Sequence, residues 1–302
     1  MVESSACYKF LASGPTRISL SNSVVQIEGP NGVVRRMARV DLIDSVFLNH
    51  SLLWNQLMLR FADGTEYFVG GLGAQAAAEL RDALLIEVAV LKGLIHEAKL
   101  RAPAIGEEIK RIKNEFGQRF SGNNYVRHSS SLVFHDDLVT VVQKCTGLIR
   151  EQLEREALDA LHTVEPFVDG QALEKERQEA NRLFIAQAIG PVKSIALEHL
   201  GSELTDEQAI AIATDEDVTL VLAGAGTGKT SVILGKLAHL VKNQGVSPGE
   251  ILVLAFNSAA AKEIRDRLPR DLQGAEIATF HAFGRRVIAE HGVAPDLSLI
   301  HI

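Results

Sequence analysis

The sequence predicts an α/β protein in three parts: a small β-rich N-terminal domain with a capping helix, a helical middle region, and an incomplete parallel sheet around a glycine-rich loop. We place these parts at residues 1–100, 101–200 and 201–296. The first part alternates apolar and polar residues between turn signals, the second is charged with a helical period, and the third alternates short apolar runs with amphipathic segments. The last pattern is typical of a parallel sheet with right-handed crossovers.

The N-terminal part has the pattern of an antiparallel meander. Pro30–Gly32 and Asp63-Gly64 are turn signals between alternating segments. The segment Gln75–Leu100 carries apolar residues at helical spacing and is expected to cover one face of the strands. Trp54 and Tyr67 are expected to be core or hairpin aromatics rather than ligand contacts.

The middle part predicts three helices, over Ile105–Phe120, Leu138–Leu161 and Gln171–Leu200, the last interrupted near Gly190-Pro191. A helical spacer is the favoured interpretation, and a dedicated binding arm is the alternative. The cluster Asn124–His128 combines polar, aromatic and basic residues, so contact with nucleic acid is a second alternative there.

The third part predicts three buried parallel strands, at Val218–Leu222, Ile251–Phe256 and Glu276–Thr279. Helices are expected over Thr230–Asn243 and Ser258–Leu268, between consecutive strands. The order of elements is therefore that of a βα repeat.

Composition excludes several classes of protein. Of the 302 residues, 46% are hydrophobic and 23% are charged, which excludes global disorder. The net charge of −7 gives no whole-chain basic surface for nucleic acid, although a local groove stays possible. We see no apolar run long enough to span a membrane and no secretory signal. Cys7 and Cys145 are too few for a disulfide scaffold and fit a reducing, cytoplasmic compartment.

The loop Ala223–Thr230 has the residue types of a phosphate cradle. Its glycines allow backbone N–H groups to turn towards an anion, and the helix that follows adds free N–H groups and a positive dipole end. Lys229 supplies a charge for the β- and γ-phosphates, and the Thr230 hydroxyl suits a Mg²⁺ ion. Ala223 stands where the strict motif begins with glycine.

Four segments in order resemble motifs of the UvrD/Rep branch of superfamily 1 DNA helicases. Leu204–Gln208 is similar to the Q motif, Ala223–Thr230 to motif I, Ala255–Ala261 to motif Ia and Thr279–Phe283 to motif Ib. The β-rich N-terminal part followed by helices resembles the helicase IV group of that branch. The resemblance implies that the third part is an incomplete RecA-like P-loop sheet.

The resemblance also implies site residues. Gln208 would read the adenine edge, Lys229 and Thr230 would be catalytic, and Thr230 would hold the metal. The implied ATP-binding residues are Gln208, Ala223, Gly224, Ala225, Gly226, Thr227, Gly228, Lys229, Thr230 and Ser231. The implied DNA-binding residues are Phe256, Asn257, Thr279, Phe280 and His281. For the two phenylalanines the alternative is core packing. For His281 the alternative is a local hydrogen bond.

The implied activity is that of an ATP-dependent 3′–5′ DNA helicase that uses ATP and Mg²⁺ on single-stranded or partly duplex DNA. The alternative is a P-loop ATP-binding module that engages a protein partner such as RNA polymerase through its N-terminal or helical region. An unrelated P-loop enzyme is the third possibility, and the Q-like and Ib-like segments argue against it.

The family's later motifs do not follow Phe283, among them an Asp-Glu pair and the arginine that stabilises transition-state charge. We therefore expect an N-terminal fragment that is inactive as an ATPase. The final residues Leu297–Ile302 match the translation of a transposase adapter used in sequencing libraries, so we expect a non-native tail there.

Overall fold

The computed structural model describes residues 2–3, 17–29, 32–50, 55–201, 203–224 and 226–290. Trp54, Cys7, the first two residues of the turn signal Pro30–Gly32, Ala225 and the tail Leu297–Ile302 lie outside the described residues. The chain divides into two compact units, Met1–Lys110 with Gln143–Ala160, and Arg111–Val142 with Leu161–Ile302. The helical middle part contributes residues to both units.

The strands of the first unit are antiparallel, as the N-terminal pattern predicts, and they form two sheets. The strands β1 to β4 form one sheet in sequence order, and β5 to β7 form the other. Their bounds are β1 Val2–Glu3, β2 Arg17–Ser21, β3 Val24–Glu28, β4 Val34–Arg39, β5 Ile43–His50, β6 Asn55–Phe61 and β7 Glu66–Leu72.

Alternation along each strand places one face of the sheets in a shared core. Val25 and Ile27 of β3 and Leu57 and Leu59 of β6 are fully buried, while the residues between them are only partly covered. Tyr67 packs edge-on against another core ring, that of Phe61, with 5.8 Å between the centroids. Tyr67 is therefore a hairpin aromatic, as predicted.

The helices of the middle region differ from their predicted bounds. They are α1 Ala74–Arg119, α2 His128–Lys144, α3 Gly147–Arg150, α4 Arg155–Val164 and α5 Gly170–Leu200. The predicted helices Gln75–Leu100 and Ile105–Phe120 are one helix, because α1 continues through Pro103. Residues on both sides of the proline, such as Ala98 and Ile109, are buried. The predicted helix over Leu138–Leu161 is wrong, because Thr146 caps a new start by accepting a hydrogen bond from the Ile149 N–H.

The predicted interruption near Gly190-Pro191 is also absent from the structure. The helix α5 runs on through Pro191 to Leu200, where Gly201 ends it in the left-handed region at φ +61°. Val192 and Ala196 are buried after the proline, and this burial stabilises a helix that has lost one hydrogen bond.

The second unit ends in a two-stranded parallel sheet with helices. The elements are α6 Asp206–Ala213, α7 Lys229–Lys242, β8 Leu252–Ala255, α8 Ser258–Arg267, β9 Glu276–Thr279 and α9 Phe280–Glu290. The strands β8 and β9 are parallel and in register from Leu252 opposite Glu276 to Ala255 opposite Thr279. Leu234 and Leu237 of α7 are buried in the core that covers this sheet.

The predicted strand Val218–Leu222 is wrong. Within the described residues this segment has no regular structure and pairs with no strand, and Val218 and Leu222 are each 86% exposed. An apolar run forms a buried strand only where neighbours cover both of its faces, and here no strand or helix covers it. A three-stranded RecA-like sheet is therefore not formed by the described part of the chain.

No helix in the described ranges combines the length and the apolar character that crossing a membrane requires.

Candidate functional site

The glycine-rich loop turns sharply into helix α7. Gly226 and Gly228 adopt positive φ angles of +77° and +85°, a region that residues with a Cβ rarely enter. Gly228 is the N-cap, and its carbonyl oxygen accepts the hydrogen bond of the Val232 N–H at 3.0 Å. The glycines thus bring the unpaired N–H groups of the first helical turn to the mouth of the loop, where an anion would be stabilised.

Lys229 is held by the loop itself. Its Nζ donates to the carbonyl oxygens of Gly224 at 2.6 Å and Ala223 at 3.0 Å, and the side chain forms no ion pair within the described residues. The Thr227 hydroxyl donates to the same Gly224 oxygen at 2.9 Å. Neutral carbonyls are weaker partners for an ammonium group than phosphate oxygens are, so a bound phosphate would compete well for Lys229.

Gln208 links helix α6 to the loop. With Thr205 it forms a capping box, in which its Oε1 accepts from the Thr205 N–H at 3.0 Å. Its Nε2 donates to the Thr227 carbonyl oxygen at 2.9 Å. A primary amide has a second N–H and a second lone pair, so Gln208 retains one donor and one acceptor for a ligand.

A cavity of about 710 Å³ opens beside the loop, within the size range of small-ligand sites. Gln208 and Lys229 lie in its lining together with Gly224 and Thr227. Apolar side chains form much of its wall, contributed by Val221, Leu222, Val232 and Ile233, and the remaining lining residues are Thr205, Glu207, Ala211 and Ala223. The combination of an apolar wall with a polar, cationic end matches a ligand that has an aromatic base and a phosphate chain.

Thr230 and Ser231 lie in the first turn of α7, where the sequence predicts the metal contact. The Ser231 hydroxyl accepts a hydrogen bond from Nη2 of Arg267 at 3.3 Å, a neighbour that the sequence does not reveal. The described residues contain no group of three or more acidic, histidine or cysteine side chains that could hold a metal. The Thr230 hydroxyl is an oxygen ligand of the kind that Mg²⁺ takes together with nucleotide phosphates.

The two phenylalanines of the predicted DNA-binding set lie beyond the ends of paired strands. Phe256 follows Ala255 and Phe280 follows Thr279, and these preceding residues are register partners. Phe256 is 90% exposed and Phe280 is 60% exposed. The alternative of core packing is therefore wrong for both rings.

The polar members of the set are helix caps or free surface groups. The Asn257 side chain caps α8 by accepting from the Ala260 N–H at 2.8 Å. The Thr279 hydroxyl accepts from the Ala282 N–H at 3.2 Å at the start of α9. Among the described residues, no hydrogen-bond partner faces His281, and its side chain is exposed. The alternative of a local hydrogen bond is wrong for His281.

The three carboxylates of Asp215–Asp217 bind the start of helix α2. Glu216 accepts from the His128 N–H at 2.7 Å, Asp217 accepts from the Ser129 N–H at 2.8 Å, and Arg127 donates to Asp215 at 2.8 Å. These contacts join the segment before the glycine-rich loop to the Asn124–His128 cluster. The Arg127 guanidinium of that cluster is consequently occupied by a carboxylate of its own chain.

The pKa values of these carboxylates reflect their partners. Burial raises the pKa of Glu216, but the hydrogen bonds from the His128 and Asp217 N–H groups and from Arg177 outweigh burial and lower it. Arg177 donates to Glu216 at 2.6 Å. The N–H and hydroxyl of Ser129 lower the pKa of Asp217.

The loop, the N-terminus of α7 and the cavity together offer free N–H groups, an ammonium group and an apolar wall to one ligand. Residues 204–298 match the family described as "UvrD/REP helicase N-terminal domain". Over this stretch the chain is similar to that family, which confirms the resemblance. The DNA helicase IV of Escherichia coli strain K12 is 33% identical over 120 residues, 39% of this chain and 18% of that protein.

Two further relatives have similar coverage. A "Probable DNA helicase" of Mycoplasma pneumoniae is 42% identical over 101 residues, 32% of this chain and 18% of that protein. The "ATP-dependent DNA helicase PcrA" of Leuconostoc citreum is 36% identical over 112 residues, 34% of this chain and 15% of that protein. The matched part of the chain thus spans less than a fifth of the length of these relatives.

Proposed function

We propose that the chain binds Mg-ATP at the loop Ala223–Thr230 and single-stranded DNA at the ends of β8 and β9, as the nucleotide-binding part of an ATP-dependent 3′–5′ DNA helicase. The observation that carries the proposal is Lys229, whose ammonium group is held by loop carbonyls and which lines a nucleotide-sized cavity. The relatives described above are DNA helicases, which supports the choice of substrate and gives no support to the alternative of a protein-binding module. We expect a cytoplasmic location, where ATP and DNA are found.

Each residue of the cradle has a proposed task. Lys229 exchanges the Gly224 and Ala223 carbonyl oxygens for the β- and γ-phosphates, and Thr230 contacts the metal. Gln208 keeps its bond to Thr227 while its remaining donor and acceptor read the adenine edge. When bound, Mg-ATP supplies the phosphoryl group whose transfer drives the motor.

DNA contact is proposed for the exposed ends of the parallel strands. Phe256 and Phe280 offer ring faces to unstacked bases, which tolerate any sequence. The caps Asn257 and Thr279 fix the N-termini of α8 and α9, whose free N–H groups suit backbone phosphates. His281 adds an exposed donor beside Phe280.

Strand separation tests the polarity. In a complete helicase that carries this sequence, Mg-ATP is expected to drive unwinding of a duplex with a 3′ single-stranded tail and not of one with a 5′ tail. Lys229→Ala is expected to abolish it, while Lys262→Ala, at an exposed lysine of α8 outside the cavity lining, leaves it unchanged. Unwinding of 5′-tailed duplexes, or retained unwinding by a folded Lys229→Ala variant, would contradict the proposal.

A further inference from the structure

A second cavity, of about 590 Å³, lies in the unit formed by Arg111–Val142 and Leu161–Ile302. It shares no lining residue with the nucleotide cradle. Its walls come from residues 123–125, from one side of α5, from Asp215 and from the C-terminal end of α7. Its volume suits a small ring system.

Side-chain amides dominate the polar lining of this cavity. They belong to Asn123, Asn124, Gln187, Asn243 and Gln244. Apart from that of Asn243, these amides have no protein hydrogen-bond partner in the described part of the chain. None of the described lining residues is lysine or arginine. An amide presents a donor and an acceptor side by side, as the edge of a nucleobase does, so the lining favours an uncharged heterocycle over a phosphate.

A buried histidine in the same lining lacks a partner. His239 is 3% exposed, and its Nδ1 accepts a hydrogen bond from Asn243 Nδ2 at 3.0 Å. The ring proton therefore lies on Nε2, which is buried and has no hydrogen-bond partner among the described residues. Burial, and then the nearby charge of Lys236, lower the pKa of His239 and keep the ring neutral. His239 belongs to the lining of the cavity, so its Nε2–H signal reports on what the cavity holds.

Two aromatic rings complete the cavity. Tyr125 and Phe184 meet edge to face, with 6.0 Å between their centroids and 79° between their planes. Such rings offer a face or an edge for a planar heterocycle. We propose that this cavity binds one unpaired nucleobase, with Tyr125 and Phe184 packing on the ring and with the amides reading its edge.

The test uses the whole chain labelled with ¹⁵N-histidine, with Mg-ATP present throughout so that binding at the cradle does not contribute. The Nε2–H signal of His239, assigned by its loss in His239→Gln, is followed while adenosine, guanosine, cytidine or thymidine is added. A short single-stranded oligonucleotide and its abasic counterpart are then compared. We expect the signal to move with at least one nucleoside, and to move with the oligonucleotide but not the abasic strand if the base comes from DNA.

Matched variants make the result specific. Asn124→Ala combined with Gln187→Ala removes exposed amides and is expected to weaken binding about tenfold without loss of stability. Gln118→Ala, at an exposed glutamine outside the cavity, is expected to bind like the parent chain. A His239 signal that no base moves would overturn the proposal, as would equal affinity of the double variant and the parent chain.

Discussion

The side-chain amide of Gln208 occupies the space that a methyl group on Gly228 would need, since a Cβ built there lies 2.7 Å from Gln208 Nε2. The same Nε2 donates to the carbonyl oxygen of Thr227. Gln208 Nε2 of helix α6 therefore packs against Gly228 of the loop and is hydrogen-bonded to Thr227 of the same loop. The Q-like segment and the P-loop act as one structural piece, and a change in either is expected to disturb both.

A comparison of Gly228→Ala with Gly226→Ala distinguishes the effect of the collision with Gln208 from that of backbone strain. Both glycines have positive φ, but a Cβ on Gly226 meets nothing within 4 Å. Gly226→Ala is expected to cost about 1 kcal/mol of stability from strain alone. Gly228→Ala adds the collision with Gln208 and is expected to cost more and to weaken Mg-ATP binding further. Urea unfolding and equilibrium titration measure the two effects, and equal losses for both variants would refute the fitted contact.

Phe256→Ala and Phe280→Ala are expected to weaken single-stranded DNA binding without destabilising the fold. Their rings are mostly exposed, so little burial is lost, whereas base stacking contributes about 1–3 kcal/mol per ring. Fluorescence anisotropy with a labelled oligonucleotide measures the change. Leu197→Ala, at a leucine that is 53% exposed on α5, serves as control and should bind DNA normally. Unaltered affinity for DNA in both phenylalanine variants would show that these rings do not contact DNA.

Acid is expected to release the carboxylate contacts at the start of α2. The pKa values of Glu216 and Asp217 lie below their ordinary values of 4.5 and 3.8 in the folded chain. Their contribution to stability is therefore complete above about pH 4.5 and is lost as the pH falls through the lowered values. Hydrogen-exchange protection of the His128 and Ser129 amides, corrected for intrinsic rate, should fall in this range.

Glu216→Gln should reproduce part of that loss at neutral pH. The variant replaces a charged acceptor of Arg177 and is expected to destabilise this region by about 1–2 kcal/mol. Glu263→Gln, which removes an exposed partner of Arg267 on α8, is the control and should change stability by less than about 0.5 kcal/mol. Equal protection of the His128 amide in the two variants would show that Glu216 does not hold the helix start.

The segment Val218–Leu222 is expected to be an early site of thermolysin cleavage. It is apolar, irregular and exposed, which are the features a protease requires. Mg-ATP should slow the cut because the cradle begins at the next residue and ligand binding favours its ordered form. Lys229→Ala should cancel that protection. Cleavage that Mg-ATP does not slow would argue against nucleotide binding at this loop.

Local sequence signals predict the parts of this structure that depend on local physics. The Asp63-Gly64 hairpin follows from its turn residues, and the alternation of β3 and β6 follows from their apolar period. The structure of Val218–Leu222 could not be predicted in this way, because an apolar run becomes a buried strand only if residues distant in the chain cover it.

The same limit applies to the contacts that the sequence does not predict. The bonds from Asp215–Asp217 to the start of α2 join residues 88 positions apart. No spacing rule indicates such a pair. The unpartnered Nε2 of His239 also could not be predicted from the sequence, because its burial results from packing of the whole unit. The prediction for Phe256 and Phe280 rests on motif order, and the exposure of their rings then supports it.

Equilibrium binding of a fluorescent ATP analogue with Mg²⁺ tests the central claim most directly, and it compares the parent chain with Lys229→Ala and Lys262→Ala. Lys229 interacts with phosphate in the proposal, whereas Lys262 is an exposed lysine outside the cavity lining. We predict saturable binding to the parent chain and to Lys262→Ala, and a loss of at least about tenfold in affinity for Lys229→Ala at unchanged thermal stability. Equal binding by all three chains, or no binding by a folded parent chain, would contradict the account.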